Sequence, residues 1–405
     1  MRILMLSWEY PPRIVGGISR VVYHLSQKLG EAGNEVHVVT CREQNTPAIE
    51  KDSNVYVHRV HTYDVKPGNF VDWVLHFNFT IIEHCIKMIN ETGKFDIIHA
   101  HDWIVAFAAR VLKNAYFMPL ACTIHATEYG RNWGIHNETQ KYISNVEWFL
   151  TYESWKVIVN SNYMKEEVIR VFNLPWDKIE LVPNGIDINK FAGIEKDMNF
   201  RRRYAHDSEK IIFYVGRIVN EKGVGVLLDS VPMVLSAYKG AKFIISGKGP
   251  QLDYLKTKAS AMGVSQNIYF TGYISDEDLL RLYKCVDIAV FPSLYEPFGI
   301  VALEGMAAGV PIVVSDVGGL GEIVEHGVNG LKCIAGNANS LACSILEILF
   351  NPQKGEVMKN NALKKVRAHF TWDIISRQTQ KVYQKILDER KRTNWVIKPI
   401  MSELP

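Results

Sequence analysis

Residues 292–315 read PSLYEPFGIVALEGMAAGVPIVVS, a succession typical of a strand end, a loop and a helix. They follow an apolar run at 287–291, and Pro292 and Gly299 are residues that favour turns. Residues 300–308 combine helix formers with small residues. Because Gly299 has no side chain, a ligand can approach the backbone where the helix presents its first unpaired amides. We therefore expect this end of the helix to favour a phosphate.

Two carboxylates bracket the start of this helix, Glu296 before it and Glu304 within it. The paired carboxyls of a glycosidase lie roughly 5 to 9.5 Å apart. Eight helical residues rise about 12 Å, which favours two acids that hold different parts of one long ligand. A nucleotide sugar has that shape, with hydroxyls at both ends and a diphosphate between them. The alternative interpretation is a buried α/β element whose acids are charges near a helix N-terminus.

Length and composition indicate a globular enzyme-sized protein. The chain has 405 residues, 47% of them hydrophobic and 22% charged, so we expect two domains of about 200 residues, each with its own core. A net charge of +3 is too small to indicate a nucleic-acid partner. The six cysteines lack CxxC spacing and mostly lie in apolar runs, which predicts reduced core residues.

The sequence predicts a cytoplasmic protein. Only four apolar residues follow Arg2 before the polar Ser7, which is too short for the apolar region of a secretory signal. No uncharged run approaches the roughly 18 residues needed to span a bilayer, so we expect no membrane span. The oligomeric state is left open.

Short apolar runs alternate with helical patterns along the whole chain. The runs RILMLS, EVHVVT, VYVHRV, FDIIHAH, PLACTIHA and WKVIVNS occur in the first half, and IIFYVGR, KFIISGKG, IYFTGY, DIAVFPS and PIVVSD in the second. This alternation predicts an α/β protein with two doubly wound, Rossmann-like domains, whose ligand groups lie at the carboxyl ends of the strands. We assign residues 1–190 to the first domain, 191–371 to the second and 372–392 to a last long helix.

Several other classes of site are disfavoured. No G-x-G-x-x-G or Walker sequence is present, which argues against a dinucleotide oxidoreductase. The triplet 276–278 (Asp-Glu-Asp) formally matches a DxD metal site, but after Ser275 it is typical of a helix N-cap and an acidic first turn. His99 and His101 resemble a metal pair without a third ligand spaced nearby, so we predict no metal site.

Cations and glycines follow several of the predicted strands. Breaking a bond from sugar to phosphate leaves negative charge on the diphosphate, and Arg217 and Lys222 could neutralise it without a metal. The glycine pair Gly16 and Gly17 could admit a diphosphate and sugar, or could form a plain turn. The loop at 247–250 (Gly-Lys-Gly-Pro) could approach the nucleotide, although Lys248 is equally well explained as a solvated charge.

These motifs together resemble a known family. Glu296 and Glu304, with PFG between them, resemble the E-x7-E signature of retaining GT-B glycosyltransferases, and GRIVNEKG at 216–223 resembles their G-R-x(4)-K-G motif. The resemblance covers nearly all of residues 1–390 and is to enzymes of the glycogen and starch synthase kind and their broad relatives, often called family 4. It implies a GT-B fold with an interdomain cleft and a last helix that returns to the first domain.

The resemblance also implies roles for particular residues. It places His125 at the transferring sugar and Asp102 at the acceptor; the alternatives are a structural histidine and a capping acid. It implies that Glu296 holds hydroxyls of the donor sugar and Glu304 the ribose. Among the aromatic residues, most of which we expect in the core, Trp133 is favoured for stacking on an acceptor sugar. The predicted catalytic residues are His125, Glu296, Arg217 and Lys222; the donor-binding residues are Gly16, Gly17, Arg217, Lys222, Gly247, Lys248, Ile274, Glu296, Phe298, Gly299, Ile300, Val301 and Glu304; the acceptor-side residues are Asp102, Trp133 and Asn184.

By the same resemblance, the expected activity is retaining, metal-independent hexosyl transfer from a nucleotide sugar to an acceptor hydroxyl, with no cofactor. In that family the leaving phosphate is usually described as helping to deprotonate the acceptor, so no enzyme nucleophile is needed. Two departures from bacterial glucan synthases weaken the substrate assignment: Ile14 replaces the lysine of K-x-G-G, and Glu304 supplies an acid that those enzymes often lack. Glucose from ADP-glucose or UDP-glucose and an α-glucan acceptor are still favoured.

Three alternatives stay open. The acceptor could be a lipid or a small sugar. A nucleotide-sugar 2-epimerase would use a similar two-domain fold on the same ligand, without needing an acceptor-side aromatic loop. A non-catalytic nucleotide-sugar or glycan binding protein is disfavoured because Glu296, Glu304, Arg217 and Lys222 are all present.

Overall fold

The computed structural model describes residues 1–395, which form two compact α/β units. The first unit contains Met1–Pro183 and residues 372–395, and the second contains Asn184–Thr371. The sequence-based boundary lay at residue 190. Among residues 1–395, no helix combines the length and the apolar character needed to cross a bilayer.

The first unit is built on an eight-stranded sheet with the order β3-β4-β2-β1-β5-β6-β7-β8. All neighbouring strands are parallel except β3 and β4, which are antiparallel. Because the parallel strands of such a sheet are covered on both faces, most of them are continuous apolar runs, whereas the antiparallel edge strand β3 is polar and largely exposed. The strands are β1 (Arg2–Leu6), β2 (Glu35–Cys41), β3 (Ile49–Asp52), β4 (Val55–Val60), β5 (Ile97–His101), β6 (Leu120–Ile124), β7 (Lys156–Val159) and β8 (Ile179–Leu181).

Six helices connect these strands. The core between the sheet and its helices contains buried aliphatic and aromatic side chains such as Leu4, Phe77 and Leu120. The helices are α1 (Gly17–Glu31), α2 (Phe70–Thr92), α3 (Ala106–Tyr116), α4 (Glu128–Asn132), α5 (Glu138–Glu153) and α6 (Asn162–Phe172).

The second unit contains a six-stranded, fully parallel sheet with the order β11-β10-β9-β12-β13-β14. Two hydrophobic clusters, one around Phe213 and Leu303 and one around Phe243 and Leu227, supply its core. The elements are α7 (Met198–Arg201), β9 (Lys210–Val215), α8 (Val224–Ala237), β10 (Ala241–Ser246), α9 (Leu252–Ala261), β11 (Ile268–Gly272), α10 (Asp276–Cys285), β12 (Ile288–Phe291), α11 (Ile300–Ala308), β13 (Ile312–Ser315), α12 (Gly318–Ile323), β14 (Leu331–Cys333), α13 (Ala338–Phe350) and α14 (Pro352–His369).

The last helix, α15 (Trp372–Lys391), belongs to the first unit. Trp372 stacks on His24 of α1, with 5.5 Å between ring centroids. The Tyr383 hydroxyl lies 2.7 Å from Nδ1 of His99 in β5, so the helix contacts the sheet as well as a neighbouring helix. Val382, Tyr383 and Ile386 of this helix are buried, so α15 takes part in the packing of the first unit.

The predicted fold class is confirmed, and so is the strand, loop and helix at residues 288–308. Ser275 caps α10 by accepting a hydrogen bond from the backbone N–H of Asp278, which confirms the helix-cap interpretation of the acidic triplet. One expectation needs correction. Five cysteines are buried free thiols, but Cys343 is exposed because it lies on the outer side of α13.

Candidate active site

In each unit, predicted site residues follow neighbouring strands at the carboxyl edge of the sheet. In the first unit the strand order reverses between β1 and β5, and in the second between β9 and β12. Ligands of open α/β sheets bind outside the strand ends at such switch points. Gly16, Asp102 and His125 follow β1, β5 and β6, whereas Arg217 and Glu296 follow β9 and β12.

The loop after β1 is fixed by a carboxylate that the sequence analysis did not identify. One oxygen of Glu9, Oε2, accepts hydrogen bonds from the backbone N–H groups of Val15 and Gly16, each at 2.8 Å. Glu9 is 1% exposed, and burial raises the pKa of its carboxyl although these two hydrogen bonds act in the opposite direction. In the sequence, the only indication of this role of Glu9 was its position between the aromatic residues Trp8 and Tyr10.

Gly16 has an extended backbone, with φ −153°, and Gly17 begins α1. A Cβ added to Gly16 would meet no protein atom within 4 Å. The fold of the first unit therefore does not require glycine at position 16. The missing side chain instead leaves open space beside the amides that Glu9 orients.

Asp102 and His125 are joined by a hydrogen bond across neighbouring strand ends. The backbone N–H of His125 donates to Oδ1 of Asp102 at 2.8 Å, and a guanidinium nitrogen of Arg131 lies 4.0 Å from Oδ2. Asp102 has φ 58°, a left-handed conformation that is uncommon outside glycine and typical of functional loops when it occurs in a buried acid. The structure thus brings together two residues that the sequence assigned to sugar and acceptor.

His125 is not a lone histidine but the end of a buried stack of three. Its Nε2 lies 3.1 Å from Nδ1 of His101, and the rings of His101 and His99 have centroids 4.2 Å apart. Burial lowers the pKa of all three, and for His99 to about 3. His125 is therefore a neutral imidazole at neutral pH. Among residues 1–395 no group of three or more His, Cys, Asp or Glu side chains is arranged to hold a metal ion.

Trp133 ends α4 in a left-handed conformation, with φ 57°, and is 64% exposed. In the part of the chain that the structure describes, no hydrogen bond or ring contact joins it to Asp102 or His125. Its ring is accessible, but its assignment to the acceptor side stays a prediction.

In the second unit, the predicted catalytic cation and acid form an ion pair. Nζ of Lys222 donates to Oε2 of Glu296 at 2.7 Å, and the Ser293 hydroxyl donates to the same oxygen at 3.2 Å. Glu296 is buried, with 7% of its surface exposed, while the Lys222 side chain stays partly accessible. The electrostatic attraction between two opposite charges is much stronger in such a partly desolvated position than in bulk water.

Arg217 lies nearby in the chain but has a different partner. A guanidinium nitrogen donates to Oε1 of Glu221 at 3.1 Å, and about half of the Arg217 side chain is exposed. The carbonyl oxygen of Glu221 accepts hydrogen bonds from the backbone N–H groups of Leu294 and Tyr295. Glu221, which the sequence analysis did not single out, therefore ties the loop after β9 to the loop after β12.

Gly299 begins α11 in a left-handed conformation, with φ 108°, and no side chain caps this end of the helix. A Cβ at this position would lie 2.6 Å from a methyl of Leu320, so glycine is required by packing as well as by backbone conformation. The side chain of Phe298 points into the core. Only the backbone of Phe298 is then available to a ligand, together with the amides of Ile300 and Val301.

Glu304 is 2% exposed and accepts a hydrogen bond from Nζ of Lys190 at 2.9 Å. The sequence analysis assigned residue 190 to the end of the first domain and missed this partner, because 114 residues separate it from Glu304. Of the two weaker assignments, Asn184 is buried and Ile274 packs against the core around Leu303.

The loop after β10 makes its close approach to the protein itself. Gly247 has φ 140°, and an added Cβ would lie 1.9 Å from the carbonyl oxygen of Gly216. At Gly249 the corresponding distance to the carbonyl oxygen of Ile218 is 2.1 Å. These glycines are therefore needed to pack two loops of the second unit together. Nζ of Lys248 lies 5.8 Å from the ring centre of Tyr273.

The comparisons with known proteins agree with this architecture. Residues 15–190 match the family described as Glycosyltransferase Family 4, and residues 196–365 match Glycosyl transferases group 1. An uncharacterized glycosyltransferase of Methanocaldococcus jannaschii is 40% identical over 95% of this chain and 98% of its own length. The glycogen synthase of Mycobacterium tuberculosis is 33% identical over 95% of this chain and 94% of its own.

Among solved structures, sucrose-phosphate synthase from Thermosynechococcus elongatus covers 96% of this chain and 100% of its own with a TM-score of 0.82 at 23% identity. The fold and the two strand-edge clusters define an α/β enzyme of the GT-B class. The chain belongs to the group 1, family 4-like glycosyltransferases.

Proposed function

We propose that the protein is a retaining hexosyltransferase that moves glucose from a nucleoside diphosphate sugar to a hydroxyl of an α-glucan. The observation that carries this proposal is the Lys222–Glu296 ion pair, which lies at the carboxyl edge of the second sheet in the loop that leads to the uncapped end of α11. A buried acid suits sugar hydroxyls, and the cation beside it suits the phosphate that departs from that sugar.

Neutralisation of the leaving diphosphate is assigned to protein groups. Lys222 and Arg217 supply positive charge, and the first amides of α11 supply oriented N–H dipoles. Arg217 must exchange Glu221 for a phosphate oxygen when donor binds, and its half-exposed side chain is free to rotate for this exchange. We assign no metal to this step, so transfer should continue in the presence of EDTA.

His125 and Asp102 are assigned to the sugar and the acceptor. As a neutral imidazole, His125 can give or accept a hydrogen bond at a sugar hydroxyl without placing a second cation beside the developing positive charge on the anomeric carbon. Asp102 fixes the backbone of His125. Retention follows from the family resemblance, in which the departing phosphate helps to take the proton of the acceptor.

Glucose and an α-glucan are supported by the relatives. The M. tuberculosis relative is named a glycogen synthase, and starch synthase IV from Arabidopsis thaliana, solved with ADP and acarbose, covers 96% of this chain with a TM-score of 0.75. ADP-glucose and UDP-glucose are therefore the first donors to test.

A small sugar phosphate is the second candidate acceptor. Three further relatives, at 25 to 26% identity, are named D-inositol 3-phosphate glycosyltransferase, mannosylfructose-phosphate synthase and alpha-maltose-1-phosphate synthase. Their names share a phosphorylated acceptor or product, which favours this class over lipids.

The deciding experiment pairs purified protein with ADP-glucose, UDP-glucose or GDP-mannose and with either maltooligosaccharides or glucose 1-phosphate. Release of nucleoside diphosphate is measured, and the anomeric configuration of the product is read by NMR. Acceptor-dependent release with an α-linked product supports the proposal. Formation of an epimer from UDP-N-acetylglucosamine alone, with no transfer to any acceptor, would overturn it in favour of an epimerase.

A further inference from the structure

A cavity of about 460 Å³ lies at the opposite edge of the first sheet from the candidate active site. Lys156, the first residue of β7, and Lys178, which directly precedes β8, line it. The ends of α3 and α5 add Lys113, Tyr152 and Glu153. Because the predicted donor and acceptor residues follow the carboxyl ends of strands, this cavity at the amino ends has no part in the proposed transfer.

The three ammonium groups are unequally neutralised. Lys113 forms a salt bridge with Glu153 at 2.9 Å, and Lys156 forms one with Glu389 at 3.1 Å. Nζ of Lys178 donates to the carbonyl oxygen of Tyr152 at 2.7 Å, and no carboxylate among residues 1–395 forms a salt bridge with it. Burial lowers the pKa of Lys178; the charges of Lys113 and Lys156 act in the same direction, and Cys122 and Glu153 act in the opposite one.

Two of the three carboxylates near the cavity, those of Glu153 and Glu389, are engaged in salt bridges, and the third is that of Asp177. Glu153 accepts hydrogen bonds from both Lys113 and Arg110, and Glu389 accepts from Lys156 and from the indole N–H of Trp155. Lys178 therefore holds a half-buried positive charge without a salt-bridge partner among residues 1–395, beside two other lysines that are paired with Glu153 and Glu389. Such a charge is costly to bury unless an anion shares the site.

The remaining lining consists of two indole rings together with Ser154, Pro175 and Asp177. Trp155 and Trp395 pack against each other with ring centroids 5.9 Å apart, and both face the cavity with Tyr152. A volume of this size suits a small metabolite. Ammonium groups bind phosphate as point charges, and indole faces bind the less polar face of a ring.

We propose that this cavity binds a small phosphate ester, with the phosphate on Lys178, Lys113 and Lys156 and the organic part against Trp155 and Trp395. The site is separate from catalysis and does not depend on the proposed transferase activity. The competing explanation is that Lys113 and Lys178 only cap the carbonyl end of α5, a common position for lysine.

Binding is tested on the whole protein by calorimetry and thermal shift with glucose 6-phosphate, AMP, inorganic phosphate and glucose. The variant Lys178→Gln removes the charge without breaking a salt bridge. Lys365→Gln is the matched control, because Lys365 is also half-buried, donates to a carbonyl oxygen at 2.7 Å and has a pKa lowered by burial, but lies in the second unit.

We expect at least one phosphate ester to bind tenfold or more tightly than inorganic phosphate, and glucose not to bind. Lys178→Gln should weaken that ester at least tenfold, whereas Lys365→Gln and Lys222→Ala should change its affinity less than twofold. Loss of affinity in Lys222→Ala but not in Lys178→Gln would place the ester at the donor site and overturn the proposal.

A second readout needs no variant. In the wild-type protein, the same phosphate ester should slow acetylation of Lys178 by acetic anhydride, measured by mass spectrometry, and leave acetylation of Lys365 unchanged. Equal acetylation of Lys178 with and without the ester would contradict the proposal and would favour the explanation that Lys178 only caps the end of α5.

Discussion

Two glycine loops, one in each unit, follow the carboxyl end of a parallel strand, but their glycines meet different surroundings. At Gly247 the backbone is left-handed, and a side chain would collide with the carbonyl oxygen of Gly216. At Gly16 the backbone is extended, and a side chain would enter open space. The fold itself requires glycine at position 247. At position 16 the fold permits glycine but does not require it, which is the pattern expected where a ligand needs the space.

The difference extends to the charged groups around each loop. At the second unit's edge, cations and acids neutralise one another in the pairs Lys222–Glu296 and Arg217–Glu221, and the loops are tied together by Glu221. At the first unit's edge, the histidines are neutral, and two buried carboxylates, Glu9 and Asp102, accept hydrogen bonds from backbone amides. The second edge is therefore suited to hold a charged ligand, and the first to hydrogen-bond a neutral one.

The largest expected effect concerns the charged edge. Lys222→Ala should lower kcat/KM for the donor by about 10² to 10³-fold, the range found when a single group that stabilises developing charge is removed. Initial rates with a saturating acceptor measure it. Lys258→Ala is the control, because this lysine forms a 2.6 Å salt bridge with Asp229 on the surface of the same unit. Similar rates for Lys222→Ala and Lys258→Ala would contradict the assignment of the charged ligand to the second unit's edge.

The difference between Gly247 and Gly16 is tested by one alanine substitution at each position. Gly247→Ala should lower the free energy of unfolding by about 3 kcal/mol, because strain and a backbone collision add. Gly16→Ala should change it by less than about 0.5 kcal/mol and instead raise KM for the donor. Chemical denaturation and initial rates are measured on both. A destabilised Gly16→Ala protein would show that the two glycines serve the same purpose.

The neutral edge is tested at Glu9. Glu9→Gln keeps the shape of the side chain but replaces a charged acceptor of two amide hydrogen bonds with a weaker one. We expect kcat/KM to fall about tenfold, which corresponds to about 1.4 kcal/mol. Glu43→Gln, at a partly exposed salt bridge with Arg13, is the control and should leave kinetics unchanged. Retention of full activity in Glu9→Gln would show that the loop needs no fixed orientation.

The smallest effect concerns the histidine stack. Burial, with a contribution from His125, lowers the pKa of His99 from an unfolded value of about 6.5 to about 3. Between these pH values the unfolded chain binds more protons, so stability falls as pH falls from about 6.5 towards 3. His99→Gln should reduce this slope by about 1 kcal/mol per pH unit in denaturation curves. The exposed His206→Gln should keep the wild-type slope; an unchanged slope in His99→Gln would contradict the neutral stack.

Much of the fold could be predicted because its signals are local. Parallel strands buried on both faces must be apolar runs, and the helices between them carry their own caps, as Ser275 does for α10. The helix that begins after Gly299 was recognisable for the same reason, since a turn residue and a run of helix formers are neighbours in the chain.

Much of the candidate site was also found from sequence, but its partners were not. Lys222 and Glu296 were predicted to act on one ligand, and the structure shows that they also bind each other. Glu9 and Glu221 act on backbone groups of other residues, which no motif records. His125 resembled a lone histidine because its partner His101 comes from the neighbouring strand β5.

By itself, the sequence determined two doubly wound units and put the site residues at strand ends, because hydrophobic periodicity and turn chemistry act between neighbours in the chain. Only the tertiary structure decided which charges are paired, such as Lys190 with Glu304, and which glycine is compelled by its surroundings. Those properties depend on distances between residues far apart in sequence. Packing sets these distances, and no local pattern encodes them.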